Sequence, residues 1–395
     1  MKVIDLNIAI DKSKIPKDKI VGTNSIFTIK RDGTYKARIV CRGDQQTSSS
    51  YNDIETSILS LDSLRILLII ANNKKMKLKT LDINHAFLYA ALNEELYMQH
   101  PKNATKVTPL RKALYGLKQS PKRWNETLKE SVNGMGLYDD IYSPGLFVSK
   151  DGNFMIAAYV DDCIIATRTD QKLDEFINAL KKQFSLKIVG EMKDIMLNTD
   201  ILGMNLDYDY KKGEIALSMT SYIKRLEKEY PMILNDKLKD EMIPDIDKFK
   251  INPKQDNLIM TKDECKKKVR YLQELIGKLN YIRSRGRIDI EFAVSKMAQL
   301  VLYPHKKVIE ITEQILNYVY KIKDVKIVFK REEIQNILNI TVLLGASTTS
   351  EFDLKSRCGA LIWLENICFH GFFNSKLIFD WLKRDYFKVK SKYLG

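Results

Sequence analysis

Two adjacent aspartates, Asp161 and Asp162, stand in the stretch FMIAAYVDDCIIA (154–166), between two strongly apolar segments. Neighbouring carboxylates repel each other and no β-turn requires both. A divalent cation would offset the repulsion, and carboxylate oxygens are the ligands Mg²⁺ prefers. Bare pairs of this kind also occur in solvated turns, but the flanking AAY and CII give this turn a reason to be exposed while its neighbours are buried. A third aspartate, Asp82, ends MKLKTLDI (76–83), which reads as a strand. Alone it serves as readily as a strand-terminating cap. Together with the later hairpin, it would converge with Asp161 and Asp162 on one sheet edge. Such convergence suits a two-metal site, in which one ion activates an attacking oxygen and the other steadies a phosphate leaving group.

Elements able to position these groups can be read on either side. VGTNSIFTIKRDGTYKARIVCRG (21–43) has two apolar stretches around Arg31-Asp32-Gly33 and predicts a β-hairpin with basic residues at its tip and on its return strand. Ser63 opens an apolar helix containing LRILLIIA (64–71), and a long loop region after Asp82 ends in ALYGLKQSP (113–121). Ser120 and Pro121 form an N-cap and first-turn pair; Trp124, Leu128, Val132 and Met135 follow at helical spacing, and Gly134 and Gly136 close the segment. After Thr169-Asp170, the residues Leu173, Phe176, Ile177, Leu180 and Phe184 mark one face of another helix. The order strand, helix, hairpin, helix predicts an α+β fold. Polar, mixed-charge text at 235–270, with Pro244 and Pro253, is the candidate linker; helices are expected at 271–282, 289–302 and 308–322, and short strands beyond Asn336.

With 395 residues, the chain is too long for a single small core, and 45% apolar against 29% charged residues is the balance of a folded protein, which excludes a disordered tail. Lysine and arginine outnumber aspartate and glutamate by 65 to 50, a formal +15. That field favours polyanions, since each neutralised phosphate releases a counterion; a solvated basic surface without a partner is the alternative. Five scattered cysteines form no closely spaced ligand pairs and fit a reduced, intracellular setting. The opening MKVIDLNIAIDKSK lacks the apolar run of a signal peptide, and no stretch reaches about 18 apolar residues, so no membrane partner is expected.

Several stretches together resemble the reverse transcriptase of copia-type LTR retrotransposons (Pseudoviridae), yeast elements above all. They are KARIVCRG (36–43), LDINHAFLYAALNEELYM (81–98), LRKALYGLKQSPKRW (110–124), YVDD (159–162), LGM (202–204) and LIGKLNYIRSRGRIDIEFAV (275–294). The resemblance covers roughly residues 20–330, and LYGLKQSP with YVDD is its most specific part. It implies a right-hand polymerase: fingers and palm over 1–231, a thumb and helical connection over 232–333, and a partial ribonuclease-H-like α/β remnant over 334–395. Such an enzyme is an RNA-directed DNA polymerase, a nucleotidyltransferase of a Pol polyprotein. It would use deoxynucleoside triphosphates, an RNA template, a DNA primer and two Mg²⁺ ions, with Mn²⁺ as a substitute. Its setting would be a cytoplasmic virus-like particle, together with other retrotransposon proteins, or the nucleus.

Carried onto matching positions, the resemblance makes Asp82 and Asp161 the main metal ligands and Asp162 the third acidic member. Phe87 falls where similar enzymes hold an aromatic steric gate under the sugar; an ordinary core phenylalanine is the alternative. Lys30 and Arg38 match finger residues that hold the incoming triphosphate, Arg as a fork and Lys as a point charge, against a merely solvated hairpin. Tyr115 stands where retroviral relatives place a glutamine near the nucleotide sugar. Cys163 reads as a small buried strand residue, and His85 as incidental. Arg283, Arg285 and Arg287 read either as a phosphate track or as a solvated helix connection. Neither protease nor integrase is expected in the chain. In LLGAS, Gly345 stands where the first ribonuclease H carboxylate would be, and KLIFDWLKRDYFKVKSKYLG no longer resembles the family, so ribonuclease H activity is expected to be absent. A noncatalytic nucleic-acid-binding relic of a degenerate transposon is the rival reading.

Overall fold

A computed structural model describes residues 3–4, 7–29, 33–52, 54–56, 58–100, 103–140, 142–193, 195–233, 262–331, 340–347, 357–364 and 367–373. The chain divides into two units, Met1–Leu67 with Met76–Glu191, and Leu68–Lys75 with Met192–Gly395. The α+β expectation holds in both.

The first unit opens with two short strands, β1 (Ile10–Asp11) and β2 (Ile20–Val21), followed by a hairpin of β3 (Thr23–Ile29) and β4 (Tyr35–Cys41). Helix α1 (Leu61–Asn73), begun in this unit, leads to β5 (Lys77–Ile83), β6 (Ala91–Gln99) and β7 (Lys106–Lys112). Then come helix α2 (Ser120–Asn133), β8 (Leu137–Asp139), β9 (Leu146–Ser149), β10 (Phe154–Tyr159), β11 (Asp162–Thr167), helix α3 (Asp170–Gln183) and β12 (Leu186–Glu191). The main sheet has the order β12-β5-β11-β10-β9-β8 and is antiparallel throughout. A smaller sheet has the order β1-β7-β6-β2.

Strand alternation sorts the main sheet into two faces. Leu81, Ile83, Cys163, Ile165, Ile156 and Ala158 share one face and pack with Trp124, Leu128 and Val132 of α2 and Leu173, Phe176, Ile177 and Leu180 of α3. On the same face Lys79, 6% exposed, reaches Asp174 at 3.6 Å and Glu191 at 2.5 Å, so its charge is paired where the strand is buried. The intervening residues, Asp82 and Asp162 included, fall on the other face. Helix starts are shifted from the sequence reading. Ser60, not Ser63, caps α1, its hydroxyl accepting from the Ser63 amide at 2.9 Å. Ser120 is already helical, and its hydroxyl donates to the Leu114 carbonyl at 2.7 Å rather than capping.

The β3–β4 ribbon has register Thr23↔Cys41 to Ile29↔Tyr35. Its two faces differ. One carries Lys36 and Arg38; the other carries Phe27, Ile29, Tyr35 and Ile39, all exposed, Tyr35 to 85%.

In the second unit β13 (Met196–Ile201), β14 (Met204–Asp209) and β15 (Glu214–Ser218) are followed by helices α4 (Thr220–Glu229), α5 (Lys262–Arg285), α6 (Glu291–Gln299) and α7 (Lys306–Lys321). Strand β16 (Lys326–Lys330) completes the antiparallel sheet β13-β14-β15-β16. Strands β17 (Ile340–Ser347), β18 (Arg357–Leu364) and β19 (Ile367–Phe373) form a third sheet in which Gly345 pairs with Gly359. Residues 262–270, read as linker, belong to α5; the rest of that linker and the final KLIFDWLKRDYFKVKSKYLG lie outside the described residues.

Of the arginine series, Arg287 is internal, while Arg283 and Arg285 are half-buried and engaged within the unit. Arg287 is fully buried, gripping Asp289 at 2.7 Å and donating to the Ile322 carbonyl. Arg283 pairs with Glu291, and Arg285 lies 3.7 Å over the Tyr281 ring while donating to the Leu202 carbonyl at 3.1 Å. A guanidinium buried this completely and paired with Asp289 presents no exposed donor to a phosphate, so Arg287 cannot serve as a track residue.

Candidate active site

Strands β10 and β11 are joined by the two-residue turn Val160-Asp161, with Tyr159 paired to Asp162. Val160 has φ 56°. Glycine normally takes the positive-φ position of such a turn, and a β-branched residue there stores about 1–3 kcal/mol that its surroundings must supply. Two contacts fix the turn: the Trp124 indole N–H donates to the Val160 carbonyl at 2.6 Å, and the Ile83 amide donates to the Asp161 carbonyl at 2.9 Å.

Register brings the three acidic residues together. Asp162 of β11 lies directly opposite Asp82 of β5, with Asp161 one residue away in the turn. Burial, then the charges of Asp161 and Asp82, push the Asp162 carboxyl up to about 6. Asp161 is also raised, by burial first and by Asp82, while Arg38 and Lys36 pull it down. Among the described residues no three His, Cys, Asp or Glu side chains form a tight metal-holding group.

The raised Asp162 has a stability consequence with a definite sign. Its proton is held more tightly folded than unfolded, so the folded state loses stability as pH rises from about 4 through about 6 and stays penalised above. Asp162→Asn removes that penalty. In chelator-containing buffer the variant should melt above wild type at pH 8, by about 1–2 kcal/mol after solvent screening, with the gap closing toward pH 4. A gap that widens in acid would contradict the electrostatic origin.

Beyond β5 the chain reverses at His85, exposed and with φ 58°, into a single helical turn at Ala86–Tyr89. This turn puts Phe87, 9% exposed, edge-on to Tyr115 with ring centroids 4.8 Å apart. The Arg38 guanidinium lies 5.8 Å from the same Tyr115 ring. Burial, then the Asp161 charge, push the Tyr115 hydroxyl up, and Arg38 opposes them. Tyr115 thus has Phe87, Arg38, Asp161 and Asp82 around it; Lys30 lies outside the described residues.

Backbone contact ties the ribbon to Tyr115. The Cys41 amide donates to the Tyr115 carbonyl at 2.7 Å. At Gly116, φ +90°, an added Cβ would sit 2.0 Å from the Cys41 carbonyl oxygen; at Gly43 it would sit 2.0 Å from that of Gly116. Only glycine permits this crossing. Gln46 extends the join, accepting from the Lys118 amide at 2.8 Å and donating to Gln119 at 3.1 Å.

Three residues near the site escaped the sequence reading. Lys36 lies two positions from Arg38 on the same strand face, a signal that alternation alone offered. Lys187 of β12 stands opposite Asp82, which only cross-strand register reveals. Trp124 was read simply as part of a helix face.

The chain matches the family described as reverse transcriptase (RNA-dependent DNA polymerase) over residues 9–244. It is 30% identical over 374 residues to the Transposon Ty1-ER2 Gag-Pol polyprotein of Saccharomyces cerevisiae (strain ATCC 204508 / S288c), an alignment covering 92% of this chain and 21% of that polyprotein. The chain thus spans about a fifth of the length of that curated relative. A foamy viral protease-reverse transcriptase solved in complex with double-stranded DNA aligns at TM-score 0.48 and 12% identity, over 89% of this chain and 51% of that one. Matched over more than half its length, the chain belongs to the reverse transcriptase (RNA-dependent DNA polymerase) family, on its copia-type retrotransposon branch.

Proposed function

We propose that this chain is an RNA-directed DNA polymerase of a retrotransposon that adds deoxynucleotides to a primer on an RNA template. The observation that carries the reading is the pairing of Asp162 with Asp82 beside the Asp161 turn, within reach of Arg38, Tyr115 and Phe87. Asp82, Asp161 and Asp162 offer oxygen donors from adjoining strands, and a cation drawn in between them would reverse the raised protonation of Asp161 and Asp162, which fits two Mg²⁺ ions or Mn²⁺ in their place. Bound there, the ions would favour the ionised primer 3′ oxygen and neutralise charge on the pyrophosphate. The 3′ oxygen attacks the α-phosphorus as the bond to pyrophosphate breaks. Arg38 and Lys30 hold the triphosphate, Arg38 being the better placed for a forked grip. Tyr115 backs the Phe87 ring, which lies under the sugar.

In this scheme residues 1–231 are fingers and palm, 232–333 thumb and connection, and 334–395 a ribonuclease-H-like remnant without hydrolytic activity, with Gly345 in place of a carboxylate. The working place would be a cytoplasmic virus-like particle; no helix among the described residues is long and apolar enough to cross a membrane.

The test is extension of a DNA primer on an RNA template by folded protein, with Mg²⁺ and with Mn²⁺. Extension is expected. Protein that binds primer–template yet adds no nucleotide with either metal would be a noncatalytic relic. Phe87→Ala should also improve ribonucleotide use relative to deoxynucleotide by about a hundredfold, because the ring no longer meets a 2′-hydroxyl. Unchanged discrimination in an active variant would return Phe87 to the core.

A further inference from the structure

The peptide units on both sides of Asp161 are held by donors from different elements. On its C-terminal side, the Asp161 carbonyl accepts from Ile83 in the neighbouring strand. On its N-terminal side, the Val160 carbonyl accepts from the Trp124 indole of α2. The second donor restrains the peptide whose own N–H belongs to Asp161, and so sets the direction in which the Asp161 carboxyl leaves the turn. Val160 supplies no such restraint itself, since a β-branched residue at φ 56° is pushed toward other conformations.

Trp124 is built to resist that push. It is 2% exposed and packs edge-on to Phe184 at 5.3 Å and against Tyr89 at 6.4 Å. Tyr89 and Phe184 are themselves in edge contact at 5.0 Å, and the Tyr89 hydroxyl accepts from the Ser185 amide at 2.6 Å. An indole clamped on these sides cannot swing away with the turn. Its single N–H has no acceptor role to exchange for, so leucine or phenylalanine would fill the space without holding the carbonyl.

We infer that Trp124 is a positioning residue for the acidic hairpin, its indole N–H holding the strained Val160 peptide so that Asp161 is presented in working orientation. The inference rests on the polymerase reading for its effect on rate, but not for its effect on the turn. Two substitutions separate the hydrogen bond from the packing. Trp124→Phe keeps a ring and removes the N–H; Val160→Gly gives the turn a residue that takes positive φ unaided.

Trp124→Phe should lower kcat by about tenfold to a hundredfold, with nucleotide KM and primer–template affinity within about twofold. Adding Val160→Gly should recover most of that loss, a coupling that a purely structural tryptophan would not show. Amide hydrogen exchange at Ile83, whose N–H meets the Asp161 carbonyl, should quicken about tenfold in Trp124→Phe and return toward wild type in the double variant. Unchanged kcat and exchange in Trp124→Phe, or losses that Val160→Gly does not touch, would overturn the inference. A wild-type chain that adds no nucleotide would sink the polymerase reading alone, because the exchange comparison still decides the role of Trp124.

Discussion

Asp161→Asn should cut primer extension by about a thousandfold or more while primer–template binding stays near wild type. The substitution keeps the shape of the turn, including the carbonyl that accepts from Ile83, and removes only a charge. Asp82→Asn should behave likewise, and Asp162→Asn should be damaging as well. Because Asp161 is already raised by burial and by Asp82, neutralising it should not lower the melting temperature in chelator. That separates a dead site from a misfolded one. Extension by folded Asp161→Asn at more than about a tenth of the wild-type rate would remove Asp161 from the reaction.

Gly116→Ala should be the most disruptive single-methyl change in the first unit. The new Cβ would meet the Cys41 carbonyl oxygen at 2.0 Å and Val40 Cγ1 at 2.7 Å, at a residue with φ +90°. Backbone strain of about 1–2 kcal/mol and overpacking of about 1–3 kcal/mol add, because the first obstacle is backbone and cannot rotate aside. Arg38 and Tyr115 then lose their common anchor, so extension should fall with stability. An alanine variant that melts and extends like wild type would show that the crossing is looser than its geometry implies. Gly134→Ala is the control: its nearest neighbour would lie at 3.4 Å, an ordinary contact.

Much of this arrangement is legible in the residues. Two continuous apolar runs meeting at Asp161-Asp162 point to a hairpin, and the helical spacing from Trp124 to Val132 to a helix. The resemblance supplied Phe87, Tyr115 and Arg38, and the fold brings these three side chains together. What escaped depends on partners distant in sequence. The Lys187↔Asp82 pairing exists only once β12 is seen beside β5. Trp124 reads as bulk until the Val160 carbonyl is placed against it. The Arg283–Arg287 run reads from sequence as a phosphate track or a solvated connection, yet Asp289 and Glu291 nearby already offered the partners that hold Arg287 inside and pair with Arg283. The start of α5 was missed because Lys, Asp and Glu between 262 and 270 were read as linker polarity, although Lys and Glu are also good helix formers.

The outward face of the β3–β4 ribbon has a colloidal consequence. Phe27, Ile29, Tyr35 and Ile39 cover a two-stranded ribbon whose outer edges carry no further strand among the described residues. Open edges with apolar side chains invite pairing between molecules, and a two-stranded ribbon has little stability of its own to oppose it. Mutual repulsion from the +15 charge keeps copies apart at low ionic strength, over a distance that shrinks to about 3 Å in 1 M salt. High salt, the usual way to strip nucleic acid from a basic protein, therefore removes the same repulsion that shields this ribbon. The chain is best kept dispersed in dilute solution at moderate salt, where neither nucleic acid nor another copy is strongly held.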